Sequence, residues 1–211
     1  GRLTAQWRQE NPDVEPAEVL LERIKDKEKV NKYKKRGKMT GPDRSLMFDI
    51  PEIWKWVQVG DLASAIRYGT SDKSKKVYEG VPMLRMGDIA EGKLYYDDLK
   101  YLPADWEHKE KFLLQDGDVL FNRTNSAELV GKTAVYKESH PEAVFASYLV
   151  RSRLYRDIFD PDLMAYYINS VHGRKYINSV VSQQVGQANV NATKMASMPI
   201  PLPPLAEQEQ I

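Results

Sequence analysis

Cysteine is absent from the 211 residues, which removes disulfides and thiolate zinc sites from consideration. Histidine occurs three times, at His108, His140 and His172, far apart and without the spacing that sets two imidazoles on one helix face. A His-based metal site is therefore not expected. No apolar run is long enough to span a bilayer, and Gly1-Arg2-Leu3-Thr4 has none of the features of a signal peptide, so a cytoplasmic chain without a membrane partner is expected. Catalytic signatures are missing as well. There is no phosphate-cradling Gly-rich loop with Lys, no G-x-S-x-G and no H-E-x-x-H. Asn11-Pro12-Asp13 and Asp160-Pro161-Asp162 lack the aromatic residue of an amino-methyltransferase's base-holding motif. The carboxylates of Asp97-Asp98 and Asp116-Gly117-Asp118 lie in turn-like sequence, which favours solvated turns over a general acid/base pair.

What is present suits a folded domain. Hydrophobic residues make up 42% and charged residues 29%, and four Trp, twelve Tyr and five Phe supply large apolar area for a core. The net charge of +1 conceals an uneven distribution. Residues 1–40 hold eleven Lys/Arg against seven Asp/Glu, with six basic residues and no acid in Lys29–Lys38. Residues 41–120 are acid-rich, and Leu163–Ala206 has no acidic residue. Such a chain can present a positive face to nucleic acid; the alternative is a solvated surface with patchy charge.

Residues 1–40 read as a helical arm. Pro16 suits a first helical position, and Val19, Leu20 and Ile24 form an apolar stripe that fades after Lys27 into Lys-rich sequence ending at Gly37. Met39–Leu46 has linker composition. From Phe48 the texture changes to short strands and Gly-Asp turns, over Trp54–Val59, Leu62–Ile66, Val81–Met86, Asp118–Asn122, Val130–Tyr136 and Val144–Leu154. Helical signals return at Asp160-Pro161, an N-cap followed by Pro. The stripe Leu163, Met164, Tyr167, Ile168, Val171 follows; Gly173 interrupts it before Tyr176, Ile177, Val180 and Val181. Gln183–Asn191 reads as a polar loop, Asn191 as a cap for a short helix over Ala192–Ala196, and Pro199, Pro201, Pro203 and Pro204 as an extended segment. A helix restarts at Leu205 and the chain stops inside it, which suggests a fragment of a longer polypeptide. The expected fold is α+β: a twisted mixed, partly barrel-like β-sheet with helices packed C-terminally and an N-terminal helical arm.

Three segments carry recognition chemistry. In Gly117–Ser126 a buried strand delivers Asn122, Arg123, Thr124, Asn125 and Ser126 at its end, with Lys132 shortly after. Arg bonds guanine bidentately, Asn bonds adenine, Ser and Thr bond base or backbone, and Lys contacts phosphate. The alternative is a turn in which Asn and Ser bond their own backbone. A second segment, Ser182–Asn191, offers three Gln and two Asn without an acid, among them Gln187 and Asn189. Such a loop suits adenine reading near phosphate, or is a flexible surface loop. The third is Tyr68-Gly69-Thr70-Ser71 followed by Lys73, Lys75 and Lys76, with Arg85 on an adjacent strand; Tyr68 can stack on a base or fill the core.

At these residues the chain resembles a known family. Ile50–Asp61, Gly80–Ile89, Gly117–Ser126 and the terminal Ile200-Pro-Leu-Pro-Pro-Leu-Ala-Glu-Gln208 resemble a target recognition domain of type I restriction-modification specificity subunits. Gly1–Arg8 with Val19–Ile24 is similar to the stretch that follows the family's central conserved helix. The resemblance implies two recognition domains per subunit, each reading half of a split double-stranded DNA target, with long helices that bind methyltransferase (modification) subunits and bring in restriction subunits. It implies that this chain is the second such domain, over residues 41–200, with an arm over 1–40 and the start of a conserved helix over 201–211. It implies no catalytic centre and no cofactor here, since S-adenosylmethionine and ATP belong to the partners. Base contacts do not carry over, because these domains read different targets. Chemistry and position at strand ends select Tyr68, Thr70, Ser71, Arg85, Asn122, Arg123, Asn125, Ser126, Lys132, Gln187 and Asn189 as the expected DNA surface. The rival readings are an adaptor that binds methyltransferase subunits without reading DNA, and an autonomous methyltransferase or nuclease.

Overall fold

The computed structural model describes residues 1–30, 46–76, 79–184 and 186–211. In chain order its helices are α1 (Ala5–Glu10), α2 (Ala17–Val30), α3 (Lys109–Phe112), α4 (Pro161–Asn169), α5 (Val171–Val180), α6 (Ala192–Ala196) and α7 (Leu205–Gln208). The strands are β1 (Lys55–Gln58), β2 (Ala63–Tyr68), β3 (Val81–Leu84), β4 (Ile89–Ala90), β5 (Lys93–Leu94), β6 (Lys100–Leu102), β7 (Val119–Asn122), β8 (Thr124–Asn125), β9 (Thr133–Val135), β10 (Val144–Phe145), β11 (Leu149–Leu154), β12 (Ser182–Gln184), β13 (Gln187–Asn189) and β14 (Pro199–Leu202).

A strand that is apolar at consecutive positions needs cover on both faces, because its side chains alternate. The run Val119-Leu120-Phe121 meets that need. It lies within the antiparallel sheet β2-β11-β7-β9, with Leu149 opposite Asn122 and Val135 opposite Val119. Val119, Phe121, Val135 and Val150 enter one apolar cluster, together with Ala17, Leu20 and Ile24 of α2, Met164 and Ile168 of α4, Ile177 of α5 and Ile200 of β14. Leu120, Ala134 and Leu149 enter a second cluster with Val81, Met83 and Leu84 of β3, Phe112 of α3 and Phe145 of β10. The sheet thus separates two cores. Around it lie smaller sheets ordered β1-β14, β10-β3-β6, β12-β13-β8 and β4-β5, and among the described residues none closes into a barrel. The mixed α+β architecture is as expected, with its strands distributed over several small sheets.

A buried carboxylate fastens β7 to β11. Asp118 accepts two bonds from Arg153, at 2.8 and 2.7 Å, and one from the Gln115 N–H at 2.8 Å, while Arg151 Nη1 stands 3.8 Å away. A second buried carboxylate gathers the chain's two ends. Glu207 of α7 is 0% exposed and accepts from Thr4 Oγ1 at 2.5 Å, from Trp54 Nε1 at 2.7 Å and from Arg8. Beside it, Gln208 bonds the Ile158 and Pro203 carbonyls and the Asp160 N–H. The N-terminal arm therefore packs into the main core through α2, and α7 is held against the same body.

Several local expectations hold. Asp160 caps α4 by accepting from the Leu163 N–H at 2.9 Å, with Pro161 at the first position. Asn191 caps α6 over the expected residues. The proline segment is extended, as β14, and pairs with β1. Other boundaries move. The helical break falls at Ser170, whose hydroxyl caps α5, and not at Gly173. Gly173 lies inside α5 where a Cβ would come within 2.2 Å of the Ile168 carbonyl, so it permits a close turn between the helices. The stretch Val144–Leu154, read as one strand, is two: β10 runs parallel to β3 and β11 antiparallel to β7. The loop Gln183–Asn191 contains a hairpin, β12 to β13, with Ser182 opposite Asn189. The basic run Lys29–Lys38 and the Met39–Leu46 linker, apart from their edge residues, fall outside the described residues. Among the described residues no helix is long and apolar enough to cross a membrane.

Candidate nucleic-acid interface

The buried strand β7 stops being apolar at Asn122, and the chain there leaves one sheet for another. Arg123 is the crossing residue. Its N–H donates to the Tyr148 carbonyl at 2.9 Å, and its carbonyl accepts from the Val190 N–H at 2.9 Å. Thr124 and Asn125 then form β8, opposite Asn189 and Ala188 of β13. Backbone pairing therefore brings two of the three polar segments side by side. The third arrives through β2. Thr70 donates its N–H to the Phe145 carbonyl at 2.9 Å, and its own carbonyl accepts from Ser147 at 2.8 Å. The approach is tight: a Cβ on Gly69 would stand 2.3 Å from the carbonyl oxygens of Phe145 and Ala146. Ala146 in turn donates to the Leu84 carbonyl at 2.9 Å, which sets Arg85 next to the same loop.

Convergence of backbones does not make every side chain available. Tyr68 is 42% exposed; its hydroxyl accepts from the Ala192 N–H at 2.9 Å, and its ring lies under Arg123, whose guanidinium carbon is 4.9 Å from the ring centre. Ser71, Ser126 and Gln187 are exposed. Asn125 is half-buried, and its side-chain oxygen accepts the Ser126 N–H at 2.9 Å. Asn189 donates to Thr124 Oγ1 at 2.6 Å. Three of the expected contact residues serve the frame. Thr70 is buried and accepts the Asp72 N–H at 3.1 Å. Asn122 is fully buried and reaches the Met86 carbonyl at 3.4 Å. Arg85 is held by Asp88, at 3.2 Å from each of its carboxylate oxygens, and by the Asp98 carbonyl. Lys132 lines a different groove, between the β4-β5 hairpin, β9 and α4, with Lys93, Lys137, Tyr166 and Arg174.

Thr124, Ser182, Gln187 and Asn189 line a hollow of about 270 Å³. Lys194 donates to Ser182 Oγ at 2.6 Å and brings a positive charge to its rim. The turn beyond Ser126 is braced by Arg174, which donates to the carbonyls of Ala127 and Glu128, each at 3.3 Å, and of Val130. Burial pulls the pKa of that guanidinium down from its ordinary value. Sequence reasoning missed Ser147, Tyr148 and Lys194, and it took Ser182 only as part of the Ser182–Asn191 segment. Tyr148 is 44% exposed next to Arg123, but its loop was hidden in what read as one continuous strand without Gly or Pro. Among the described residues no group of three His, Asp or Glu could hold a metal ion.

The chain thus carries, at the strand ends of a sheet covered on both faces, amides, hydroxyls and one guanidinium stacked on a tyrosine ring. The comparisons give it a family. The model for the type I restriction modification DNA specificity domain matches residues 51–211, and the chain belongs to that family. It is 30% identical over 164 residues to a putative type I restriction enzyme MjaX specificity subunit from Methanocaldococcus jannaschii, covering 77% of this chain and 39% of the relative. It is 28% identical over 161 residues to the EcoKI specificity subunit of Escherichia coli K12, covering 75% of this chain and 34% of the relative. The chain thus spans little more than a third of these relatives. Among solved structures, the HsdS subunit from Thermoanaerobacter tengcongensis matches 99% of this chain and 46% of its own, at a TM-score of 0.52 and 18% identity. A chain from a study of assembly and conformational transition in the type I R-M system matches 99% and 47%, at 0.56 and 20%. At those identities the two structures establish a shared fold.

Proposed function

We propose that this chain reads one half of a bipartite double-stranded DNA target, as the recognition domain of a type I restriction-modification specificity subunit. Residues 41–200 do the reading. Residues 1–40 and 201–211 join the domain to the helices that hold methyltransferase subunits, and through them restriction subunits. The chain itself carries out no catalysis and needs no cofactor. The observation that carries the reading is the meeting of Tyr68, Arg123, Asn125, Gln187 and Asn189, from three separate stretches of sequence, at the β8–β13 pair and the Tyr68 ring beside it. Within the expected set, Tyr68, Ser71, Arg123, Asn125, Ser126, Gln187 and Asn189 face the duplex. Thr70, Arg85 and Asn122 stand behind them as frame, and Lys132 supplies a phosphate contact from the neighbouring groove. Amide and guanidinium groups discriminate base edges, while lysines contribute salt-dependent affinity that is blind to sequence.

The test uses the complete modification complex. An Asn125→Ala, Gln187→Ala double variant should lower affinity for the true target by about 1–3 kcal/mol for each bidentate pairing with a base that the substitutions remove. Affinity for a scrambled half-site should stay where it was. Unchanged target affinity together with an unchanged methylation pattern would remove the DNA-reading proposal and leave the adaptor.

A further inference from the structure

Arg123 differs from the other arginines at this end of the molecule. Arg85 is closed on Asp88, and Arg174 is committed to three backbone carbonyls. Arg123 has no carboxylate partner among the described residues. Its side-chain hydrogen bonding amounts to one long contact, from Nη1 to the Ser147 carbonyl at 3.5 Å, and its buried Nε has no partner. The group is nevertheless fixed. Its backbone is bonded on both sides, to Tyr148 and Val190, and its guanidinium carbon sits 4.9 Å from the centre of the Tyr68 ring. That ring is itself anchored by the Ala192 N–H. A cation over an aromatic face, with donors left over, is a planar fork placed before its ligand arrives.

We infer that Arg123, held in place by Tyr68, is the guanine-reading residue of this half-site, a conclusion that rests on the DNA-reading function proposed above. The ligand chemistry is a pair of coplanar acceptors, which guanine presents in the major groove as O6 and N7. A phosphate oxygen pair is the rival source. The surroundings favour the base: the β8–β13 pair that begins after Arg123 carries hydroxyls and amides, Thr124, Asn125, Gln187 and Asn189, and Lys194 at the rim of its hollow is already bonded to Ser182. Phosphate contacts come typically from clustered Lys, Arg and backbone N–H groups, whereas amides alongside a fixed guanidinium suit base edges. Tyr68 is a positioning residue. Its ring sets the angle of the fork, and its hydroxyl serves the backbone of α6.

Mapping methylated bases with the complete complex tests this. With Arg123→Lys or Arg123→Ala, modification should spread to sites that differ at one G·C pair of this half-site. Discrimination at that pair should fall roughly tenfold to a hundredfold, with the other positions still read. Tyr68→Leu should relax the same pair, and Tyr68→Phe, which keeps the ring, should not. If an Arg123 variant fails to assemble, the two Tyr68 variants carry the test alone. A uniform loss of binding to all sequences, with a shallower salt dependence, would make Arg123 a phosphate anchor and overturn the inference. So would a half-site without guanine on either strand, or Arg123 and Tyr68 variants with unaltered specificity. The wider reading is separable from this outcome: it survives if the Asn125, Gln187 variant loses target affinity while the Arg123 variants do not, and falls if none of them changes it.

Discussion

Two polar clusters in this molecule are built on opposite principles. Around Glu207 every polar group answers another: Thr4, Arg8 and Trp54 converge on one buried carboxylate, and Gln208 beside it uses both ends of its amide. Around Arg123, Tyr68, Asn125, Ser126, Gln187 and Asn189 are exposed or half-buried, and the buried Arg123 Nε and Asn122 Oδ1 lack partners. The first pattern is that of a structural lock, since a buried charge is tolerated only when fully bonded. The second leaves polar groups open, as the proposed DNA-reading function requires.

The contrast can be broken by mutation. The largest expected effect is at Glu207. Glu207→Ala strands three donors and should cost about 3–5 kcal/mol, read as a lower denaturation midpoint. Where the complex still assembles, base selectivity should stay intact, and a changed methylation pattern would mean that the two clusters are not independent. Next is Trp54→Phe, which removes the 2.7 Å bond to Glu207 along with some buried ring volume and should cost about 2 kcal/mol. The reading surface should behave in the opposite way. Gln187→Ala should leave stability within about 0.5 kcal/mol while target binding drops; a large loss of stability would place Gln187 in the frame. Smallest is a pH effect at His140. Its Nδ1 accepts the Lys137 N–H at 3.0 Å, and burial, aided by the Lys137 charge, holds the imidazole below its ordinary 6.5. The folded form therefore resists a proton that the unfolded chain takes up. This contribution is complete above pH 6.5 and is lost as pH falls below it, and His140→Gln should flatten that part of the stability profile.

Much of the fold was readable from local chemistry. Asp160 and Asn191 announce their helices because a short acceptor before a helical stretch satisfies its first N–H groups, and the structure uses both. The apolar run after Gly117 announces a strand covered on both faces. Legibility failed where backbone pairing, and not side-chain pattern, makes the structure. The β12-β13 hairpin is built of Gln, Ser, Ala and Asn and has no apolar alternation to betray it; it exists because β8 offers an edge. The break between β10 and β11 carries no Gly or Pro, and it arises because Phe145 pairs with Leu84 while Leu149 pairs with Asn122. Tyr148 was hidden with it.

At the site the division is similar. Residue types alone marked Arg123, Asn125, Gln187 and Asn189 as capable of reading a base, since guanidinium and amide groups carry that ability wherever they stand. They could not separate Arg123 from Arg85. Both are arginines near strand ends, and only the fold brings an aspartate to one and a tyrosine ring to the other. Composition and periodicity thus determined most of the helices, their caps, the doubly covered strand and the inventory of polar groups. The tertiary structure decided which of those groups are satisfied within the chain and which remain open, because that depends on contacts between residues tens of positions apart, such as Tyr68 with Arg123 and Thr124 with Asn189.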